Sequence, residues 1–178
     1  MKIKRINIVL FIIAFALFGC KKSYIVSEGQ KIFFQYDYIN FTGEFQHHGI
    51  IIDNEGNVLA YDKPEKWNFP GKDNILTRAE VEENLSFCVP TGRQIPNKEL
   101  QKYINFIDNI SASKISAPRL KSSTMGSHIY YCFQYSEVND TYKAVIIKQE
   151  GDIECENLNF YSKKIVEWMK EIQGISRK

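Results

Sequence analysis

The sequence predicts an α+β fold: an antiparallel sheet of hairpins with about three helices packed on one face. Three observations carry this expectation. Two pairs of β-rich segments are separated by short turn-forming runs, at Asp53–Asn57 and at Asn139-Asp140. Apolar residues recur at helical spacing in two other segments, and a third carries a helix-start signal. Strands and helices do not alternate in the way a parallel sheet requires.

The elements follow in order. Residues 31–41 are rich in β-formers (Ile32, Phe33, Phe34, Tyr36, Tyr38, Ile39) and predict a strand. Strands over 46–53 and 58–61 form the clearest hairpin, with Gly56 free to take the positive φ of its turn. Thr77-Arg78-Ala79-Glu80 has the spacing of a capping box, with Leu76 and Val81 at the staple positions, so a helix follows over 78–85. Pro96-Asn97 opens a second helix, with Leu100, Tyr103, Ile104, Ile107 and Ile110 on its apolar face. Segments 128–138 and 142–149 form the second hairpin. In its first strand Ile129, Tyr131, Phe133 and Tyr135 share one face, and Tyr130 and Cys132 the other. A last helix over 157–173 buries Leu158, Tyr161, Ile165, Trp168, Met169 and Ile172. It turns Lys163, Lys164, Glu167 and Lys170 to water and ends at Gly174.

Upstream of the domain the chain reads differently. Lys2, Lys4 and Arg5 precede an unbroken apolar run from Ile8 to Phe18. Such a run is too short for a hydrocarbon core of ~30 Å but suits a signal peptide. Leu17-Phe18-Gly19-Cys20 then resembles the lipobox of bacterial lipoproteins. The resemblance covers about the first 22 residues. It implies that residues 1–19 are removed, that the Cys20 sulfur takes a diacylglyceryl group, and that the new amine is acylated. Lys21, where that family uses Asp for inner-membrane retention, points to the outer membrane. Residues 20–30 then form the lipidated Cys and a short tether, and 31–178 a single domain.

Composition narrows the function. With 44% hydrophobic, 25% charged and 13% aromatic residues the chain reads as globular. Losing Lys2, Lys4 and Arg5 takes the formal charge from +2 to −1, which leaves no electrostatic footprint for a nucleic acid. Three cysteines remain after Cys20: Cys88, Cys132 and Cys155. In an oxidising compartment one disulfide among them is allowed by any of three pairings, and three buried thiols are the other reading. His128 and Cys132 share a strand face but are four positions, ~13 Å, apart, so a Cys–His pair would need His47 or His48 brought in by the fold. Neighbours on a strand point to opposite faces, so His47 and His48 cannot chelate one ion. Asp53–Asn57 lacks the later oxygen ligands of a calcium loop and is explained by turn chemistry. No cofactor or metal site is expected.

Two loops stay open. Residues 111–127 are Ser-rich and without apolar period, which predicts an irregular surface segment. Its Lys114, Arg119 and Lys121 are candidates for receiving an acidic or phosphate group. Residues 63–75 carry Trp67, Phe69 and Pro70, either a lid on the core or a binding platform. The sequence therefore points to a membrane-anchored envelope lipoprotein with a non-catalytic domain that binds an envelope protein partner or a surface ligand. The alternative is an envelope hydrolase using a Cys/His site.

Overall fold

The computed structural model describes residue 24 and residues 26–174. The lipobox and Cys20 lie outside the described residues. The chain is α+β, and every named strand pairing is antiparallel. The strands are β1 (Ile32–Asn40), β2 (Gln46–Asp53), β3 (Asn57–Asp62), β4 (Ile75–Thr77), β5 (Val89–Gln94), β6 (Arg119–Leu120), β7 (Ser127–Ser136), β8 (Thr141–Gly151) and β9 (Ile153–Glu156). They run across the sheet in the order β5-β3-β2-β1-β7-β8-β9-β6. Strand β4 pairs with the start of β8, and β9 with its later half.

Local chemistry fixes the turns and caps. In the β2–β3 turn the Asp53 carboxylate accepts from the Glu55 and Asn57 amides, at 2.9 and 2.8 Å, and Gly56 takes φ +84°. Helix α1 (Arg78–Ser86) opens on a complete capping box: the Glu80 amide donates to Thr77 Oγ1, and the Glu80 carboxylate accepts the Thr77 amide. The segment expected as one second helix is two, α2 (Asn97–Ile104) and α3 (Ile107–Ser111). The break at Asn105-Phe106 lets Leu100, Ile104, Ile107 and Ile110 all stay buried against the sheet.

The last helix, α4 (Ser162–Ile172), starts five residues later than the periodicity suggests. The Asn157 amide donates to the Ile147 carbonyl and its side chain donates to the Ile110 carbonyl, which holds residues 157–161 outside the helix. Leu158 consequently stands 62% exposed rather than in the buried stripe. From Ser162 onward the stripe is as expected, with Ile165, Trp168, Met169 and Ile172 buried.

Period-2 alternation gives the sheet two apolar faces. Phe34, Tyr36, Ile52, Tyr130, Cys132, Val145 and Ile147 meet α2, α3 and α4 on one of them. Ile32, Ile51, Tyr61, Tyr131, Phe133, Tyr142 and Ala144 meet Val81 and Leu85 of α1, with Trp67, on the other. The expectation of helices on a single face is thus corrected: α1 covers the second face, and buried apolar residues of both parities along β7 require that cover.

Two further corrections concern segments expected to be loose. The stretch assigned to the tether is docked at Tyr24 and at Gln30. The Tyr24 amide donates to Asn105 Oδ1 at 2.8 Å, its ring lies edge-on to Phe33, and buried Gln30 donates to the Phe133 carbonyl at 3.1 Å. Residues 111–127 are mostly exposed, as expected, yet they are pinned along β9. The Ser116 and Lys121 amides donate to the Glu156 and Asp152 carbonyls, and β6 pairs with Ile153–Glu154. The β9 edge needs backbone partners, and this segment supplies them.

Candidate functional site

The end of the sheet where β1 runs into β2 gathers the polar and aromatic residues that the apolar core leaves unexplained. Register builds it: Asp37 lies opposite Gly49, and Ile39 opposite His47, so Asp37 and His47 sit diagonally on one face. Both are buried, at 0% and 1% exposure. Gln35 Nε2 donates to Asp37 Oδ1 at 2.7 Å, and the Tyr61 hydroxyl donates to the same oxygen. His47 Nε2 stands 3.9 Å from that carboxylate. Burial first, then the Asp37 carboxylate, push the Tyr61 phenol far above its ordinary range, so it remains a donor. Asp37 Oδ2, His47 Nε2 and Trp67 Nε1 are buried and have no hydrogen-bond partner among the described residues.

Gly49 is what lets Tyr61 reach Asp37. A Cβ there would lie 1.9 Å from the Tyr36 carbonyl oxygen and 2.3 Å from the Tyr61 hydroxyl. Tyr61 then stacks on Trp67, with centroids 4.1 Å apart, and His47 meets the edge of Trp67 at 5.2 Å. Trp67 therefore acts as a lid on this cluster. Phe69 does not: it contacts His47 at 5.0 Å but stays 44% exposed. Phe45 also contacts His47, at 6.2 Å, is likewise 44% exposed, and stacks obliquely on Phe41, which is 80% exposed. Phe41, Phe45 and Phe69 are thus three exposed aromatics around buried His47, with Phe45 and Phe69 both in contact with its ring.

The neighbouring histidine belongs elsewhere. His48, exposed, packs on Tyr38 at 4.9 Å on the opposite face. Tyr38 also contacts His128, and His128 Nδ1 shares a 2.8 Å hydrogen bond with the Tyr36 hydroxyl. Burial lowers the His128 pKa and raises that of Tyr36 to about 12.

The other sequence candidates are dispersed. Arg119 and Lys121 both pair with Glu154, at 3.5 and 3.3 Å, while Lys114 is exposed and apart from them. The three cations thus do not converge on one spot. Cys88, Cys132 and Cys155 are free thiols. Cys132 packs into the α2–α4 face and Cys88 against the α1 face, so the sheet separates them. Burial pushes both up to about 12 and raises Cys155, which keeps all three as thiols at neutral pH. The Cys88 thiol donates to the Asn84 carbonyl at 3.4 Å. Among the described residues no cysteine is hydrogen-bonded to a histidine, and no three His, Cys, Asp or Glu side chains are grouped to hold a metal ion. No described helix is long and apolar enough to cross a membrane.

Sequence reasoning picked out His47, Trp67 and Phe69 but not Asp37, Gln35, Phe41 or Phe45. A charged residue inside the β-rich run 31–41 was the available signal for Asp37, since a buried strand carboxylate needs partners across the sheet. Comparison with protein-family models, curated proteins and solved structures finds no match to this chain.

Proposed function

We propose that the chain is a bacterial lipoprotein, cleaved before Cys20 and lipid-anchored there, whose domain binds another envelope protein through Phe41, Phe45 and Phe69. The observation that carries this reading is the placement of that surface. Phe33 of β1 touches Tyr24, the described residue nearest the anchor. Phe41 lies eight residues further along the same strand direction, ~26 Å away. An anchor at Cys20 would therefore stand towards the end of the sheet opposite the exposed aromatics. Clustered exposed aromatics are the residue type that supplies binding energy at protein interfaces. Beneath them the buried His47 ring packs on Phe45 and Phe69, which limits the order those two must gain on binding.

Two experiments test the two parts. Cys20→Ser should leave an unprocessed precursor without fatty-acid label; equal labelling of the variant refutes the anchor. A photo-crosslinking amino acid at position 41 or 69 should give one discrete adduct in cells. The same residue at position 138, exposed on the β7–β8 turn, should give none. No adduct from 41 and 69, or equal adducts from 138, refutes the docking surface.

A further inference from the structure

The end of the domain nearest the anchor carries a second exposed patch of different character. Phe160 is 77% exposed and Leu158 62%. Phe160 lies edge-on to Tyr161, and Tyr161 is stacked on Phe106 with centroids 3.9 Å apart. Lys164 reaches over both the Phe160 and Tyr161 rings, at 5.3 and 5.9 Å, and Lys163 is exposed beside it. Phe106 directly follows Asn105, whose side chain holds the Tyr24 amide. Acids stand near the patch too: Asp108 accepts from Gln134 Nε2 at 2.9 Å, and Glu156 and Glu167 line one surface pocket together with Leu158 and Lys163.

This position matters because the tether is short. Only residues 21–23 separate Cys20 from docked Tyr24. Four Cα steps span at most ~14 Å, so an acylated Cys20 holds Tyr24 within that distance of the lipid, with the Asn105 side chain one hydrogen bond further on. Aromatic rings with lysines alongside are suited to the boundary between headgroups and acyl chains: the rings leave water while the ammonium groups stay with the phosphates.

We propose that Leu158, Phe160, Lys163 and Lys164 form a membrane-facing foot that rests on anionic phospholipid and points the Phe41 end away from the bilayer. The proposal rests on anchoring at Cys20. The docked tether limits how far the domain can stand off, and the foot then fixes its tilt. Anionic headgroups complement the ammonium groups of Lys163 and Lys164.

The test uses the full lipidated chain, purified from membranes and reconstituted into vesicles of phosphatidylcholine and phosphatidylglycerol, with and without brominated acyl chains. Phe160→Trp should lose its added emission on brominated vesicles, after subtracting the wild-type signal of Trp67 and Trp168. Phe41→Trp should keep its own. In a Lys163→Glu, Lys164→Glu background the quenching at position 160 should fall, while flotation with vesicles persists. Unquenched emission at 160 on floated protein overturns the foot, whether the patch is open to water or covered by a second copy or a partner. Equal quenching at 41 and 160 overturns the orientation, and quenching indifferent to the charge reversal overturns the headgroup contact. A chain without acyl mass that fails to float overturns the anchor reading and the foot with it.

Discussion

Trp168 links α4 to both the sheet and α2, and removing it tests the packing of the whole helical face. It is 3% exposed, stacks on Tyr103 with centroids 4.0 Å apart, and receives the edge of Phe34 at 5.2 Å. Its indole N–H donates to Glu99 Oε1 at 2.6 Å. Trp168→Ala removes these ring contacts and leaves a cavity that α2 and α4 can only partly close. Substitutions of this kind cost ~3–5 kcal/mol. Glu99 is exposed and regains water, so its lost hydrogen bond adds little. At ~2–4 °C per kcal/mol for a domain of this size, the melting temperature should fall by ~6–20 °C. Trp168→Phe keeps a ring against Tyr103 and should lose less, whereas Lys164→Ala, on the solvated side, should stay within ~0.5 kcal/mol. Differential scanning calorimetry measures all three. A Trp168→Ala protein that melts with the wild type would refute the core assignment and leave Trp168 as a surface anchor.

Gly49→Ala should destabilise by ~1–3 kcal/mol or more in urea titration, because the new methyl would have to displace the Tyr36 carbonyl or the Tyr61 hydroxyl. A neutral result would show that β1 and β2 do not pair with Asp37 opposite Gly49. Burial lowers the folded-state pKa of His128, so the unfolded chain binds that proton more tightly. The stability gained by keeping His128 neutral is therefore full above pH 6.5 and lost as the pH falls from there towards the lower folded value. His128→Gln should lose less stability than wild type below pH 6.5, and parallel pH profiles would contradict this. Alkylation of the native protein at pH 8 should be slow at Cys88, Cys132 and Cys155, and denaturation should release three reactive thiols. A mass shift of two hydrogens on reduction would instead reveal a disulfide.

What the sequence disclosed and what it hid divide along one physical line, the range over which a signal acts. The capping box at Thr77, the β2–β3 turn at Asp53 and the α4 stripe around Trp168 are set by residues each within four positions of the next, and all three appear in the structure. The start of α4 failed because its determinant is remote: Asn157 is held by Ile110 and Ile147 rather than by its neighbours. The short strands β4, β5, β6 and β9 fail for the same reason, since strands of two to six residues take their shape from the partner they join. The Asp37–His47–Tyr61 group is the extreme case. Its members come from three strands, and only the β1–β2 and β2–β3 registers place them together. A one-residue slip of β2 would send His47 to the other face and His48 inward. Ile50, Ile51 and Ile52 would survive that slip, since an isoleucine would still face each core; Gly49 resists it, because a Cβ at its position would lie 1.9 Å from the Tyr36 carbonyl oxygen, so one close backbone approach determines which histidine lies beneath the exposed aromatics.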